Sequence, residues 1–223
     1  WKSFRKTLKG CKMIPFKICG ITNINDALAA IQNNASAIGF IFANDSPRKI
    51  SFEKAKIISK RIGNKISKIG VFVNQEKQII EEAIKSIPLN MIQLHGDENP
   101  SFCNSFTIPV IKAIQIKNNE SINKAKEFEV DAILFDTYKK GFRGGTSNSF
   151  DWSILLNQKY DKPIILSGGL NKNNILEAID HVNPFAIDVN SGVEISPGIK
   201  SHTKIKNFYK KINKTKSTGF KFE

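Results

Sequence analysis

The chain has 223 residues, 40% of them hydrophobic, and a formal net charge of +14 at pH 7. This length fits one large domain or two small ones, and the apolar content is sufficient for a hydrophobic core. No segment approaches the roughly 18 consecutive apolar residues of a membrane-spanning helix, and the basic residues 1–10 are not followed by the apolar region of a signal peptide. We therefore expect a cytoplasmic globular protein without a membrane partner.

The positive charge raises the question of nucleic-acid binding. Only four of the 34 basic residues are arginine, the residue preferred for bidentate recognition of phosphates and bases. The lysines are scattered, and the two ends of the chain carry much of the excess. We expect a solvated lysine surface and no nucleic-acid partner. The alternative is a nucleic-acid-binding protein that uses its basic ends, which predicts salt-dependent retention on duplex DNA.

The three cysteines, Cys11, Cys19 and Cys103, are odd in number, widely spaced and form no C-x-x-C motif. This usage favours reduced thiols in a cytoplasmic protein over a disulfide framework.

Eight short apolar, β-branched segments follow one another along the chain and are typical of strands. They cover residues 14–19, 37–42, 68–73, 90–95, 109–116, 132–137, 163–168 and 185–190. Nearly continuous hydrophobicity of this kind is what a parallel sheet covered by helices requires.

Between these segments, apolar residues recur at the helical spacing i, i+3, i+4, i+7. The four clearest sets are Ile24, Ala27, Leu28 and Ile31; Ile80, Ala83, Ile84 and Ile87; Ile175, Ala178, Ile179 and Val182; and Ile205, Phe208, Tyr209 and Ile212. The segments after residues 51, 97, 120 and 151 are less regular but compatible with helices. Ser51 and Asn171 are predicted N-caps.

Eight strands, each followed by a helix within roughly 200 residues, predict an α/β fold: a single-domain (β/α)8 TIM barrel. We expect the barrel to span residues 13–213, with an N-terminal extension (1–12) outside it and a basic C-terminal tail (214–223). A doubly wound open sheet is the structural alternative. It is less favoured because no glycine-rich turn follows the first strand.

The working face of such a barrel is the carboxyl end of its strands. The predicted strands deliver five polar side chains there: Cys19, Gln93, His95, Asp136 and Asp188. Most lone cysteines are inert core residues, and an aspartate after a strand often only caps a turn. The position at the strand ends favours function for both.

Two further motifs, "SGGL" and "NSGVE", follow the last two strands. Glycines between a strand and a helix allow close backbone approach to a ligand, and helix N-termini attract anions. Loops at these places in barrels commonly bind phosphate. Gly168, Gly169, Ser191 and Gly192 are therefore predicted to bind phosphate, although each turn alone is also compatible with a purely structural role.

A set of ordered motifs is similar to the phosphoribosylanthranilate isomerase family of tryptophan biosynthesis. The motifs are "KICGIT…DA", "IGFIF…SPR", "VFVN", "IQLHGDE", "LFDT", "GGT…FDW", "LSGGL" and "DVNSGVE…PGIK", and they cover residues 16–208 in order. As a set they are specific, although none is so alone.

The resemblance implies an Amadori rearrangement of N-(5′-phosphoribosyl)anthranilate to 1-(2-carboxyphenylamino)-1-deoxyribulose 5-phosphate, without metal or cofactor. It implies Cys19 as the general base and Asp136 as the general acid. It also implies that Arg48, after the second strand, binds the anthranilate carboxylate, for which a planar fork is suited. A surface arginine that stabilises the turn at Pro47 is the alternative for Arg48.

The residues themselves agree with these roles. The apolar run before Asp136 favours a protonated carboxyl group, and a cation near Cys19 favours its thiolate. Lys17 is two residues before Cys19 in the same strand, so its side chain should also point into the barrel. We expect it to form an ion pair with Asp188 below the site. Gln93 and His95 are expected at the floor or wall of the pocket.

Only three histidines are present, far apart and without clustered carboxylates, so no metal site is predicted. The glycine-rich loop 138–149 is predicted to close over the substrate. The chain departs from the usual family pattern at Ser147, Asn190 and Ser201. The change at Ser147 affects the expected backbone conformation of the loop but not the reaction. Asn190 is still able to donate a hydrogen bond, so phosphate binding remains expected.

Two other phosphate-binding barrels are the nearest rival enzymes. An indole-glycerol-phosphate synthase calls for a catalytic lysine and glutamates at strand ends, and a ribulose-phosphate epimerase for paired aspartates and metal-binding histidines. Neither set is visible. The expected partner is a small phosphosugar–anthranilate substrate, and the expected assembly is a monomer or homodimer.

Overall fold

The computed structural model describes residues 14–139, 142–143, 152–155 and 161–213. Its strands are β1 (Phe16–Ile18), β2 (Ala37–Ile41), β3 (Ser67–Phe72), β4 (Met91–Leu94), β5 (Val110–Ile116), β6 (Ala132–Lys139), β7 (Phe142–Arg143), β8 (Ile164–Leu166), β9 (Ala186–Val189), β10 (Glu194–Ser196) and β11 (Ile199–Lys200). Its α-helices are α1 (Ile24–Gln32), α2 (Phe52–Ile62), α3 (Lys77–Ser86), α4 (Pro100–Cys103), α5 (Asn119–Ala125), α6 (Ile175–Val182) and α7 (His202–Ile212). Short 3-10 helices cover Trp152–Leu155 and Ser191–Val193.

Eight parallel strands form a closed ring in the order β1-β2-β3-β4-β5-β6-β8-β9. The ring closes where β1 pairs with β9, with Lys17 opposite Asp188. Each of the eight strands pairs with a neighbour on both sides, including β5 with β6, so the sheet has no open edge. An open doubly wound sheet is therefore excluded, and the predicted (β/α)8 barrel is confirmed. Each predicted strand segment overlaps one strand of the ring, although β3 begins one residue earlier and β6 ends two residues later than predicted.

Hydrophobic residues form two layers on either side of the strands. Between sheet and helices lies a large cluster that includes Phe16, Phe40, Phe72, Phe135 and Phe208. The barrel interior holds smaller side chains, since little space remains inside a ring of eight strands. They are Ala37, Ile69, Met91, Ile111, Ala113, Ala132, Leu134, Ile165 and Ala186.

The helices with clear spacing form where they were predicted, and one of the two predicted N-caps is wrong. Ser51 caps α2, because its side chain accepts a hydrogen bond from the N–H of Lys54. Asn171 is not the N-cap of α6, which is Asn174. The Asn171 amide oxygen instead accepts from the N–H of Asn173 and stabilises an earlier turn. In α1, Leu28 is 39% exposed, whereas Ala27 and Ala30 are fully buried.

The less regular segments form shorter helices. In the segment between β4 and β5, the helix predicted after residue 97 is reduced to the four residues of α4. In the segment after residue 151, Trp152–Leu155 form a 3-10 helix. The proposed extension (1–12), the tail (214–223) and most of the loop 138–149, including Ser147, lie outside the described residues. Of that loop, the backbone of β7 pairs antiparallel with the end of β6. No helix within the described ranges is long and apolar enough to cross a membrane.

Candidate active site

Cys19 lies immediately after β1, at the carboxyl end of the barrel. Its backbone N–H donates to the carbonyl of Val189, and its side chain packs in a small cluster with Ile41, Ala43 and Val71. Space for the thiol comes from Gly39 in β2. A Cβ at that position would lie 2.9 Å from Cys19 Sγ and 3.1 Å from Lys17 Cε. Sequence reasoning missed Gly39, although a glycine inside a strand often marks such a close approach.

Two ammonium groups act on the Cys19 thiol. Burial raises the pKa of Cys19, whereas the positive charges of Lys17 and Lys200 lower it and the negative charge of Asp188 raises it. The net shift is upward, so the cations moderate the effect of burial without reversing it. The expected cationic setting is present, but it does not by itself lower the pKa below the ordinary value.

The predicted ion pair between Lys17 and Asp188 is confirmed. Lys17 Nζ lies 2.6 Å from Asp188 Oδ2, and both side chains are buried on neighbouring strands. Burial lowers the pKa of Lys17, but the charges of Asp188 and Cys19 outweigh this and raise it, so Lys17 is a cation. The other carboxylate oxygen of Asp188, Oδ1, is buried and has no hydrogen-bond partner among the described residues.

A chain of hydrogen bonds leads from Lys17 across the barrel to Asp136. Lys17 Nζ donates to Gln93 Oε1 at 3.0 Å, and Gln93 Nε2 lies 2.8 Å from His95 Nδ1. His95 Nε2 in turn lies 3.1 Å from Asp136 Oδ2. These hydrogen bonds, together with the one from Lys17 to Asp188, join four of the predicted strand-end side chains in one polar network. The fifth, Cys19, interacts electrostatically with Lys17 and Asp188.

Arg48 is buried and paired with Glu194. Its Nε and Nη2 lie 3.0 and 2.8 Å from the two carboxylate oxygens of Glu194. Glu194 also accepts from Lys200 Nζ at 2.8 Å and from the N–H of Gly198. Burial raises the pKa of Glu194, but Arg48 and Lys200 outweigh it and lower the pKa, so Glu194 is a carboxylate.

Sequence reasoning missed Glu194 and Lys200. Both belong to motifs that were recognised, "NSGVE" and "PGIK", but nothing in the local pattern says that they contact Arg48, which is 146 positions from Glu194. These pairings are recognised only in the folded structure, where Glu194 lies within hydrogen-bond distance of Arg48 and Lys200.

The two predicted phosphate-binding turns lie against each other. Gly168 and Gly169 have positive φ angles of 92° and 63°, which glycine adopts without steric cost. A Cβ on Gly192 would collide with the carbonyl oxygen of Leu170, so the turn that includes Ser191 packs on the turn after β8. The structure therefore brings the four predicted phosphate residues together.

Two of the departures from the family pattern have local partners. The amide oxygen of Asn190 accepts from Lys200 Nζ at 2.9 Å. Ser201 caps α7, because its side chain accepts from the N–H of Lys204. Within the described part of the chain, no group of three or more His, Cys, Asp or Glu side chains is placed to hold a metal ion.

A closed barrel with a thiol, carboxylates and buried cations at the carboxyl ends of its strands places this chain among the (β/α)8-barrel enzymes. The family model described as N-(5′-phosphoribosyl)anthranilate (PRA) isomerase matches residues 16–211. The chain belongs to this isomerase family, as its motifs predicted.

Individual relatives are similar over nearly their whole length. An N-(5′-phosphoribosyl)anthranilate isomerase of Pseudomonas fluorescens is 43% identical over 194 residues, which is 86% of this chain and 95% of the relative. The crystal structure of the Thermotoga maritima phosphoribosylanthranilate isomerase has a TM-score of 0.83 at 42% identity, covering 90% of this chain and 98% of that one. A phosphoribosylanthranilate isomerase in complex with reduced 1-(o-carboxyphenylamino)-1-deoxyribulose 5-phosphate has a TM-score of 0.78 at 41% identity, with the same coverage.

Proposed function

We propose that this isomerase converts N-(5′-phosphoribosyl)anthranilate to 1-(2-carboxyphenylamino)-1-deoxyribulose 5-phosphate in tryptophan biosynthesis. The observation that carries the proposal is the polar network at the carboxyl ends of β1, β4, β6 and β9. It joins Asp136 to the ammonium group that acts on Cys19. An Amadori rearrangement needs one acid and one base. Asp136 lies at one end of this network, and Cys19 interacts electrostatically with Lys17 at the other end.

In the proposed reaction, Asp136 first protonates the furanose ring oxygen. The bond between this oxygen and C1′ breaks, and the anthranilate nitrogen supplies the electron pair that forms an iminium ion. Cys19, as the thiolate, then takes the proton from C2′. The resulting enolamine tautomerises to the ketone, so C1′ is reduced and C2′ is oxidised within the same molecule.

Lys17 and Lys200 support the role of Cys19 as a base. Burial alone opposes ionisation of the thiol, but both ammonium groups stabilise its thiolate. The iminium ion beside the thiol adds a positive charge at the moment when the proton is transferred. The thiolate is therefore favoured most strongly when it is needed.

Arg48 is proposed to bind the anthranilate carboxylate. The Glu194 carboxylate holds the Nε side of the guanidinium group, which leaves the Nη1 donors on the other edge for a second carboxylate. Glu194 thereby restricts the orientation of Arg48 before the substrate arrives, which reduces the entropy lost on binding.

The remaining contacts are proposed from the floor and rim of the site. Gln93, His95 and Asp188 form a polar floor, and the unpartnered Asp188 Oδ1 is suited to accept a hydrogen bond from a sugar hydroxyl. Gly168, Gly169, Ser191 and Gly192 bind the phosphate through the two packed turns. No step of this reaction requires a metal or a cofactor.

The test is to supply phosphoribosylanthranilate to the purified protein and follow the decay of its fluorescence. The wild-type protein should be active, and Cys19→Ala and Asp136→Asn should each lose about 100-fold or more in kcat. Lys65→Ala, at an exposed position, is the matched control and should behave as wild type. Full activity of both site variants would contradict the assigned roles, and an inactive wild type would contradict the reaction itself.

We also propose a cytoplasmic location and a monomeric or homodimeric state. Cys19 and Cys103 are buried free thiols, which fits a reducing compartment. Sedimentation equilibrium distinguishes the two assembly states directly.

A further inference from the structure

We propose that Gln93 is a positioning residue that keeps the proton of neutral His95 on Nε2 and thereby selects the oxygen of Asp136 that carries the acidic proton. The first part rests on hydrogen-bond geometry alone. The second part also rests on the proposed role of Asp136 as the general acid.

The first step concerns the orientation of the Gln93 amide. Lys17 Nζ can only donate hydrogen bonds, and it lies 3.0 Å from one end of this amide. That end must therefore be the oxygen. The Lys17 ammonium is itself held by Asp188 at 2.6 Å, so its position and charge are both defined.

The second step concerns the tautomer of His95. With its oxygen turned toward Lys17, Gln93 presents its NH2 group to His95 Nδ1 at 2.8 Å. An amide N–H only donates, so Nδ1 has to accept and carries no proton. The ring proton of neutral His95 is therefore on Nε2.

The third step concerns Asp136. His95 Nε2 lies 3.1 Å from Asp136 Oδ2 and donates its proton to this oxygen. Since Oδ2 is an acceptor, the proton of the carboxylic acid form belongs on Oδ1. The ammonium group that acts on the Cys19 thiol thus also sets, through two side chains, the direction from which the acid delivers its proton.

The structural part is tested by the 15N chemical shifts of histidine in the full-length protein at about pH 8, above the ordinary titration range of this side chain. His95 is identified as the signal that disappears in His95→Gln. In the wild-type protein its unprotonated nitrogen should be Nδ1. In Gln93→Glu, an acceptor faces Nδ1, so the proton should move to Nδ1. A wild-type His95 with its proton on Nδ1, or a Gln93→Glu variant with unprotonated Nδ1, would overturn the proposal.

The catalytic part is tested by kinetics of the same variants. Gln93→Glu and the uncharged Gln93→Met should each lose about 10- to 100-fold in kcat with a smaller change in KM, because the acid is misdirected after the substrate is bound. His95→Gln retains a non-titrating N–H donor and should keep more activity than His95→Leu. An unchanged kcat in Gln93→Glu would overturn the catalytic part.

Two results separate this proposal from the proposed function. If the wild-type protein does not act on phosphoribosylanthranilate, the proposed function fails, while the 15N shifts still decide the tautomer. If Asp136→Asn is inactive but both Gln93 variants are fully active, the function stands and the positioning role of Gln93 is rejected. Gln93→Met introduces no buried charge. The kinetic test can therefore be made with this variant even if Gln93→Glu does not fold.

Discussion

At the scale of single residues, the site depends on close contacts that leave little freedom. Gly39 provides the space for the Cys19 thiol, and Glu194 holds Arg48 while also satisfying Lys200. Neither residue is among the proposed acid, base or phosphate-binding groups. Both should nevertheless affect activity, because a barrel interior is packed too densely to absorb even a methyl group without displacement.

Gly39→Ala should displace the Cys19 thiol and reduce kcat by about 10- to 100-fold. The added methyl group would lie 2.9 Å from Sγ, so the sulfur has to move. Gly70→Ala is the matched control, because its methyl group would be equally crowded, 2.8 Å from Phe72 and 2.9 Å from Leu89, but outside the site. Both variants should lose about 1 to 3 kcal/mol of stability, and only Gly39→Ala should lose activity. Equal kcat values would contradict the role of Gly39.

Glu194→Gln should lower the free energy of unfolding at pH 7 by about 3 kcal/mol, because Arg48 and Lys200 lose their buried counter-ion. The pKa of Glu194 is lowered in the folded protein, so its contribution is complete above the ordinary carboxyl range and is lost as the pH falls through the lowered value. Denaturant unfolding at several pH values should therefore show a difference from wild type that shrinks toward acidic pH.

The control for Glu194→Gln is Glu81→Gln, which removes the exposed pair with Lys77 at 3.7 Å. It should cost about 0.5 kcal/mol or less. A Glu194→Gln variant that is as stable as this control at pH 7 would show that the Arg48–Glu194–Lys200 contacts contribute little.

At the scale of elements, the loop after β4 is held by a buried ion pair on the outer side of the barrel. Lys112 Nζ in β5 lies 2.7 Å from Glu98 Oε2 and also donates to the carbonyl oxygens of Gly96 and Leu94. Glu98 accepts from the N–H groups of Asn74 and Gly96. The pair thus connects three successive strands at the loop that begins with His95.

Lys112→Met should destabilise the protein by about 3 to 5 kcal/mol, because Glu98 is left buried without a cation. The double variant Lys112→Met/Glu98→Gln should recover part of this loss, since no charge then remains unpaired. Denaturant unfolding of the two single variants and the double variant measures the coupling. Strict additivity of the two single changes would contradict a direct interaction.

At the scale of the whole molecule, the end of the described chain packs on its beginning. Strand β1 closes the ring between β2 and β9, and α7 covers it, with the rings of Phe208 and Phe16 5.9 Å apart. A ring of strands has no free edge, so its closure brings the first strand of the chain, β1, against the last strand of the ring, β9.

Phe208→Ala should lower the free energy of unfolding by about 3 to 5 kcal/mol. The side chain is 1% exposed and contacts Phe16 of β1, so its loss leaves a cavity beside the strand pair β1–β9 that closes the ring. Leu28→Ala is the control, because this side chain is 39% exposed and should cost about 1 kcal/mol or less. Similar decreases in the free energy of unfolding for the two variants would show that packing against β1 contributes little to stability.

Much of the fold was predictable because it depends on local patterns. Eight β-branched segments predicted the eight strands of the ring, and four periodic segments predicted α1, α3, α6 and α7. The error at Asn171 arose because an asparagine can cap a turn as well as a helix. Periodicity also does not determine how deeply each apolar residue of a helix is buried: Leu28 is 39% exposed, whereas Ile24 and Ile31 of the same set pack against the core.

The sequence by itself determined the barrel, the strand ends that form its working face and the family, because hydrophobic periodicity and ordered motifs are properties of neighbouring residues. Only the tertiary structure decided how the functional side chains are paired. Arg48 meets Glu194, Gly39 makes space for Cys19, and Gln93 connects Lys17 to His95. These contacts join residues from different strands and loops, and hydrogen-bond direction and steric exclusion act over a few ångströms in space, whatever the separation along the chain.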